Sequence, residues 1–136
     1  MMREVFFLIN DRGEVLWSDA SESPVLLPDS RARWEAIWSR REAIAEIAHS
    51  HPVGPLAFSR TDETTMVALR SGLGRDYVFT VVAPNGVVRT FAGVTEIVYG
   101  PEPEWVGALR KASGMLNLRP TNSRAPLERR SRTRNL

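Results

Sequence analysis

The sequence has no cysteine and only two histidines among its 136 residues. Without cysteine the chain cannot form disulfides or offer thiolate ligands, so a transition-metal site has to be built from histidine and carboxylate groups. No apolar run is long enough to span a bilayer, and the apolar segment at residues 5–9 is interrupted by Asn10 and Asp11 before it reaches the length of a signal peptide's core. We therefore expect a soluble, cytoplasmic protein with no membrane partner.

The chain also has little net charge, +2 at pH 7, but that charge is unevenly distributed. Residues 119–136 contain six arginines against one acidic residue, Glu128, and few apolar residues. Such a segment cannot bury enough surface to offset the entropy lost on ordering, so we expect a disordered tail. Because no aromatic residues lie among the arginines, a solubilising role is favoured over a nucleic-acid contact. Residues 1–118 are long enough for one domain with a substantial core.

Short apolar runs separated by turn residues predict several strands. The clearest run, residues 77–82, is followed by Pro84-Asn85-Gly86, and Asn-Gly readily forms the tight turn of a hairpin. The predicted strands are 4–9, 14–17, 44–51, 77–82 and 87–91, and a short additional strand at 25–27 is left open.

Three segments carry the periodicity or the terminal signals of helices. The first begins at Asp29 or Ser30, the second begins at Ser59 or Thr61 and ends at the glycines 72 and 74, and the third covers 104–115. The buried side of the first helix is predicted to consist of Trp34, Ile37, Trp38 and Arg41. Together, strands and helices predict an α/β (α+β) fold in which helices pack against a mixed β-sheet.

Both histidines of the protein lie in the run His49-Ser50-His51-Pro52. In an extended segment residues two apart point to the same side, so the two imidazoles face one point in space before Pro52 ends the strand. After a short loop, Asp62 is placed to supply a third ligand. Three protein ligands with one open position are typical of a catalytic zinc site.

Each part of this pattern also has a simpler interpretation. Two close histidines are commonly surface or turn residues, and Pro52 and Gly54 are ordinary loop residues. Ser59 and Asp62 have the spacing of a loose helix capping box, which needs no metal. The joint occurrence of all these residues nevertheless favours zinc binding.

The run His49-Ser50-His51-Pro52, followed after six residues by Ser59-Arg60-Thr61-Asp62, resembles the signature of the JAMM (JAB1/MPN/Mov34) metallopeptidases. The resemblance covers most of residues 3–100 in the order of elements. It implies a three-layer core like that of MPN domains and cytidine deaminases, with Zn²⁺ bound by His49, His51 and Asp62. It also implies that Ser59 supports the oxyanion and that an upstream glutamate acts as the base toward the zinc-activated water.

Several glutamates precede the motif, and their positions rank them as candidates for this base. Glu4 opens the first apolar strand, as the family's glutamate does, and is our first choice. Glu22, in a Ser-Glu-Ser stretch, is second, and Glu14, in the return strand of the first hairpin, is third. Glu46 lies an odd number of residues before the first histidine on the same strand, so its side chain faces the other side of the sheet.

The resemblance implies a peptidase or isopeptidase that cleaves the amide bond after the C-terminal tail of a ubiquitin-like or sulfur-carrier protein. The substrate tail is expected to add as a strand to an exposed sheet edge, with small residues at the scissile bond if the groove is narrow. The alternative is a noncatalytic MPN-like module that binds partners through its sheet edge and basic tail. The sequence is also compatible with a homodimer contact.

Overall fold

The computed structural model describes residues 2–115, which form six strands and three helices. The arginine-rich segment 119–136 and the predicted domain boundary at residue 118 lie outside the described residues. Among residues 2–115, no helix is both long enough and apolar enough to cross a bilayer. In chain order the elements are β1 (Val5–Ile9), β2 (Val15–Ala20), α1 (Arg31–Ser39), β3 (Glu46–Ser50), α2 (Arg60–Leu73), β4 (Val78–Ala83), β5 (Gly86–Phe91), β6 (Val94–Ile97) and α3 (Glu104–Ala112).

The strands form one mixed sheet in the order β2-β1-β3-β4-β5-β6. Only β3 and β4 are parallel among these neighbours, because the chain between them crosses over through α2, and the other pairs are antiparallel. The α/β (α+β) class predicted from the sequence is therefore confirmed. Residues 51–59 connect β3 to α2, and the first turn of α2 lies close to the end of β3, where the two histidines lie.

Helices cover the sheet on both faces, which gives three layers. The side chains of β1 alternate between two apolar clusters: Phe6 and Leu8 pack with Ala36 and Ile37 of α1, whereas Phe7 and its same-face neighbours pack with residues of α3. Leu69 of α2 belongs to the same cluster as α1. All five β1 residues are buried because this strand is covered on both faces.

The buried side of α1 differs from the prediction. Of the four predicted residues Ile37 is buried, whereas Trp34 and Trp38 are exposed and Arg41 lies beyond the helix end, with its guanidinium 3.9 Å over the Trp38 ring. Arg33 takes a buried position instead, because its guanidinium is paired with Asp19 at 3.1 Å. The buried side of α1 therefore consists of Arg33, Ala36 and Ile37, and the tryptophans lie outside it.

Two further differences concern strands. Residues 25–27 form no strand, since this segment runs as an irregular connection between β2 and α1. An additional strand, β6, follows β5 through Ala92 and Gly93, both of which have positive φ, at 50° and 85°. Such a turn suits a tight hairpin even though Ala92 is not a residue that usually signals one.

Candidate metal centre and adjoining cavity

His49 and His51 lie where β3 ends, on the sheet face that α1 and α2 cover. His49 pairs with Phe6 of β1, and His51 continues the strand by donating its backbone N–H to the Val82 carbonyl oxygen at 2.8 Å. The side chains are largely buried, with 14% of His49 and 8% of His51 exposed. The predicted presentation of both imidazoles on one side is thus the arrangement in the structure.

Asp62 reaches the histidines from the first turn of α2. Ser59 is the N-cap of that helix: its Oγ accepts from the Asp62 N–H at 3.0 Å, and Asp62 Oδ2 accepts from the Ser59 N–H at 2.7 Å. The capping box that the sequence offered as an alternative is therefore present, together with the contacts to histidine. Capping holds the Asp62 carboxylate in one orientation.

The three side chains converge within bonding range of one ion. His49 Nε2 lies 3.1 Å from His51 Nε2 and 3.1 Å from Asp62 Oδ1, and His51 Nε2 lies 3.4 Å from Asp62 Oδ2. Ligand atoms about 2.0–2.1 Å from a tetrahedral ion lie about 3.3–3.4 Å from one another. The distance between the two ring nitrogens, and the distance from each of them to the nearer Asp62 oxygen, are close to this value, so the group could hold a metal ion.

The protonation of His51 strengthens this assignment. Its Nδ1 lies 2.9 Å from the Pro55 carbonyl oxygen, which can only accept, so Nδ1 carries a proton. In neutral His51 the lone pair is then on Nε2, which faces the other two ligand groups. A carbonyl that orients the second ring nitrogen is a common outer partner of a metal-binding histidine. The sequence did not identify Pro55, since only the loop geometry brings its oxygen to the ring.

The electrostatic environment of Asp62 and His51 favours a bound cation. Although burial opposes ionisation, the contacts with His49 and His51 hold the pKa of the Asp62 carboxyl well below its usual range. Burial likewise favours neutral His51, but the pairing with Asp62, the bond to Pro55 and the nearby Glu4 together raise the pKa of His51. Both shifts indicate a site that stabilises positive charge near the carboxylate.

Glu4 lies beside this cluster. The antiparallel register that pairs Phe6 with His49, continued by two residues, places Glu4 opposite His51 on the same face. Glu4 is buried, with 7% exposed, and burial raises the pKa of its carboxyl, while the two histidines act in the opposite direction. Glu4 lines the same cavity as His49, His51 and Asp62, which together form the candidate metal-binding group.

The other two candidate glutamates lie elsewhere. Glu14 is exposed in the first hairpin, where Asn10 and Arg12 donate hydrogen bonds to it and lower its pKa. Glu22 is exposed and does not line the cavity. Neither residue adjoins the histidines as Glu4 does.

Two local features fix the position of Glu4. Its backbone N–H donates to the Ser23 carbonyl at 2.8 Å and its carbonyl accepts from the Ser21 N–H at 2.9 Å, so the connection after β2 pairs with it on one side. On the other side, the buried Ser50 Oγ accepts from the Val5 N–H at 2.8 Å. Ser50 lies between the two histidines, and its side chain points to the opposite face of the strand. No role for Ser50 follows from the sequence analysis, although its position between the two histidines predicts a side chain on the opposite face of the strand.

No protein-family model and no curated protein matches this chain.

A cavity of about 450 Å³ opens from the metal-binding group into the layer between the sheet and helices α1 and α2. Its polar end holds Glu4, His49, His51, Ser59 and Asp62. Most of the remaining lining is apolar and includes Phe6, Leu26, Trp34, Ile37, Phe58 and Met66. An apolar cavity with a few convergent polar groups is the usual form of a small-molecule or substrate site.

Proposed function

We propose that the protein is a zinc-dependent peptidase or isopeptidase of the JAMM type. Its substrate in this proposal is the amide bond after the C-terminal tail of a ubiquitin-like or sulfur-carrier protein. The observation that carries the proposal is the convergence of His49, His51 and Asp62, whose nearest ligand atoms lie 3.1–3.4 Å apart, with Glu4 just before the neighbouring strand on the same face. Zinc suits a donor set of two imidazoles and a carboxylate without thiolates.

Each residue has a distinct task in this reaction. His49, His51 and Asp62 would hold the zinc ion, which when bound would act as a Lewis acid toward the scissile carbonyl and would lower the pKa of water toward about 7. Glu4 accepts the proton of the attacking water and returns it to the departing amine. Glu4 is suited to this task because hydrogen bonds to its own backbone and to the Val5 N–H hold this end of the strand beside the histidines.

The hydroxyl of Ser59 stabilises the oxyanion in this proposal. As the N-cap of α2, Ser59 Oγ accepts from the Asp62 N–H and so uses one lone pair. A serine hydroxyl also has one proton to donate. Because Ser59 lines the cavity, it can donate that proton to the substrate oxygen while it still caps the helix.

The test compares zinc-loaded Glu4→Gln with the wild-type chain on a linear fusion of a ubiquitin-like protein. We expect hydrolysis to fall by roughly 10²–10⁴-fold with the zinc content unchanged, since a general base contributes about that factor. Glu14→Gln is the matched control, because it also neutralises a glutamate of the first hairpin region. Equal rates for Glu4→Gln and wild type would remove Glu4 from the mechanism.

A noncatalytic binding module is the second candidate, and the edge strand β6 favours it. All four β6 residues are exposed, with Val94 at 69% and Ile97 at 44%, and an exposed strand edge can pair with an extended segment of a partner. Zinc-loaded wild-type protein that cleaves no ubiquitin-like fusion, yet binds such a protein, would favour this candidate over the peptidase.

A further inference from the structure

The cavity beside the metal-binding group is larger than a chain of small residues requires. At about 450 Å³ it has the volume of pockets that hold drug-sized ligands. It begins at the metal-binding group and is lined at depth by side chains of the sheet and of both helices, such as Ile47, Ile37 and Leu69. A group joined directly to the scissile amide is therefore placed to enter it.

The deeper part of the cavity has no free charge to receive a polar group. Arg33 lines it, but the guanidinium donates to Asp19 Oδ2, at 3.2 Å from Nε and 3.1 Å from Nη2, and to the Pro28 carbonyl at 2.7 Å. Its charge is thus neutralised by partners. Asp29, the other ionisable lining residue away from the metal-binding group, is exposed.

One wall of the cavity is the connection between β2 and α1. Val25 and Leu26 line the cavity, yet they are 68% and 58% exposed. The same connection pairs through Ser21 and Ser23 with the backbone of Glu4. Apolar side chains held at the mouth in this way can bury further surface when an apolar group enters.

From these observations we infer that the substrate carries a bulky apolar group, aromatic or branched aliphatic, next to the scissile amide, and that this group occupies the cavity. The inference rests on the proposed hydrolysis at the metal site and specifies its substrate. It differs from the expectation of small residues at the scissile bond, which applied to a narrow groove. A glycine at this place would leave apolar walls in contact with water.

Calorimetric titration of the zinc-loaded protein tests this inference without measuring hydrolysis. Acetohydroxamic acid and phenylacetohydroxamic acid share one zinc-binding head and differ by a phenyl group on the acyl side, and N-benzylacetohydroxamic acid places that group on the amine side. Burying an aromatic group is expected to tighten binding at least about tenfold. The compound that shows this gain in affinity identifies the side of the amide whose substituent enters the cavity. Equal affinities for all three compounds would overturn the inference.

A pair of exposed residues provides matched variants. Leu26→Ser removes apolar lining and is expected to reduce the phenyl preference by a factor of about three or more. Val67→Ser is the control, because Val67 is 60% exposed on α2 and does not line the cavity. An equal loss of preference in both variants would contradict the assignment of the cavity.

A measurement that needs no zinc keeps the inference separate from the proposed function. In protein labelled with ¹³C at methionine methyl groups, phenylacetamide is expected to shift the signal of Met66, which lines the cavity. The signal of Met115, in the cluster on the other face of the sheet, is expected to stay in place. A Met66 shift in a protein that shows no hydrolytic activity would contradict the peptidase proposal and support the apolar site. Hydrolysis without a Met66 shift would support the peptidase proposal and contradict the apolar site.

Discussion

The Asp62 carboxylate belongs both to a helix cap and to the candidate metal-binding group. Its Oδ2 accepts from the Ser59 N–H at 2.7 Å, while its Oδ1 lies 3.1 Å from His49 Nε2. The same side chain thus completes the first turn of α2 and faces the histidines of β3. Because the cap fixes the carboxylate before any ion binds, less conformational entropy is lost on binding.

Zinc is expected to stabilise the folded protein through His49. At a free zinc concentration 100 times the dissociation constant, the free energy of unfolding rises by about 2.7 kcal/mol if only the folded state binds. His49→Ala should lose this gain, because it removes one of three ligands. Urea unfolding with and without zinc measures it. Glu63→Gln, in the same helical turn as Asp62, is the control and should retain the full gain.

Ser59 has a capping role and a proposed catalytic role, which two substitutions separate. Ser59→Ala removes the side-chain acceptor of the N-cap and is expected to cost about 1 kcal/mol of stability, whereas Ser59→Gly costs only a few tenths. Both remove the hydroxyl, so both should lower hydrolysis by about 10²–10³-fold, as loss of an oxyanion donor does. Urea unfolding and initial rates give the two quantities. If Ser59→Gly hydrolyses at the wild-type rate, the hydroxyl has no part in catalysis.

Substitution by alanine is expected to have opposite effects on stability at Gly72 and Gly74, near the end of α2. Gly74 has φ of 69° and its N–H donates to the Arg70 carbonyl, so Gly74→Ala forces a side chain into the left-handed region and should cost about 1 kcal/mol. Gly72 lies within the helix, and a Cβ there meets no atom within 4 Å. Gly72→Ala should therefore stabilise by about 0.5–1 kcal/mol. Thermal unfolding of the two variants checks the signs, and destabilisation by both would contradict the assigned helix end.

Glu46 makes stability depend on pH. Its buried carboxylate accepts from Thr80 Oγ1 and lies 3.3 Å from the Arg89 guanidinium. Burial raises the pKa of Glu46 above its ordinary value of 4.5, although both partners oppose the rise. The folded state therefore binds this proton more tightly than the unfolded state does, and the stabilisation present below pH 4.5 is lost as the pH rises through the folded pKa.

Glu46→Gln should remove this dependence. Urea unfolding between pH 4.5 and 8 is expected to show Glu46→Gln gaining stability relative to wild type as the pH rises. Glu42→Gln, which removes an exposed carboxylate, corrects for the change in net charge. A constant difference between Glu46→Gln and wild type over this range would mean that the pKa of Glu46 is not raised by folding.

The sequence predicted those parts of the site that depend on local geometry. The spacing of His49 and His51 places both rings on one side of a strand whatever the rest of the fold does. The spacing of Ser59 and Asp62 likewise depends on the first turn of a helix. These two local units are brought together by the short loop that joins them.

The parts that the sequence could only rank, or did not indicate, depend on contacts between distant segments. Glu4 adjoins His51 through the register of β1 and β3, so the sequence could only rank it above Glu14 and Glu22. The burial of Arg33 depends on its ion pair with Asp19, which a periodicity of apolar residues does not predict. The cavity arises from the packing of two helices and an irregular connection, and no single segment carries a signal for it.

X-ray absorption spectroscopy of the zinc-loaded chain, combined with anomalous scattering from its crystals, tests the central claim most directly. We expect one zinc ion per chain, about 2.0–2.1 Å from Nε2 of His49 and of His51 and about 2.0–2.2 Å from an oxygen of Asp62. Zinc absent from this position, or bound there without one of these three side chains, would contradict it.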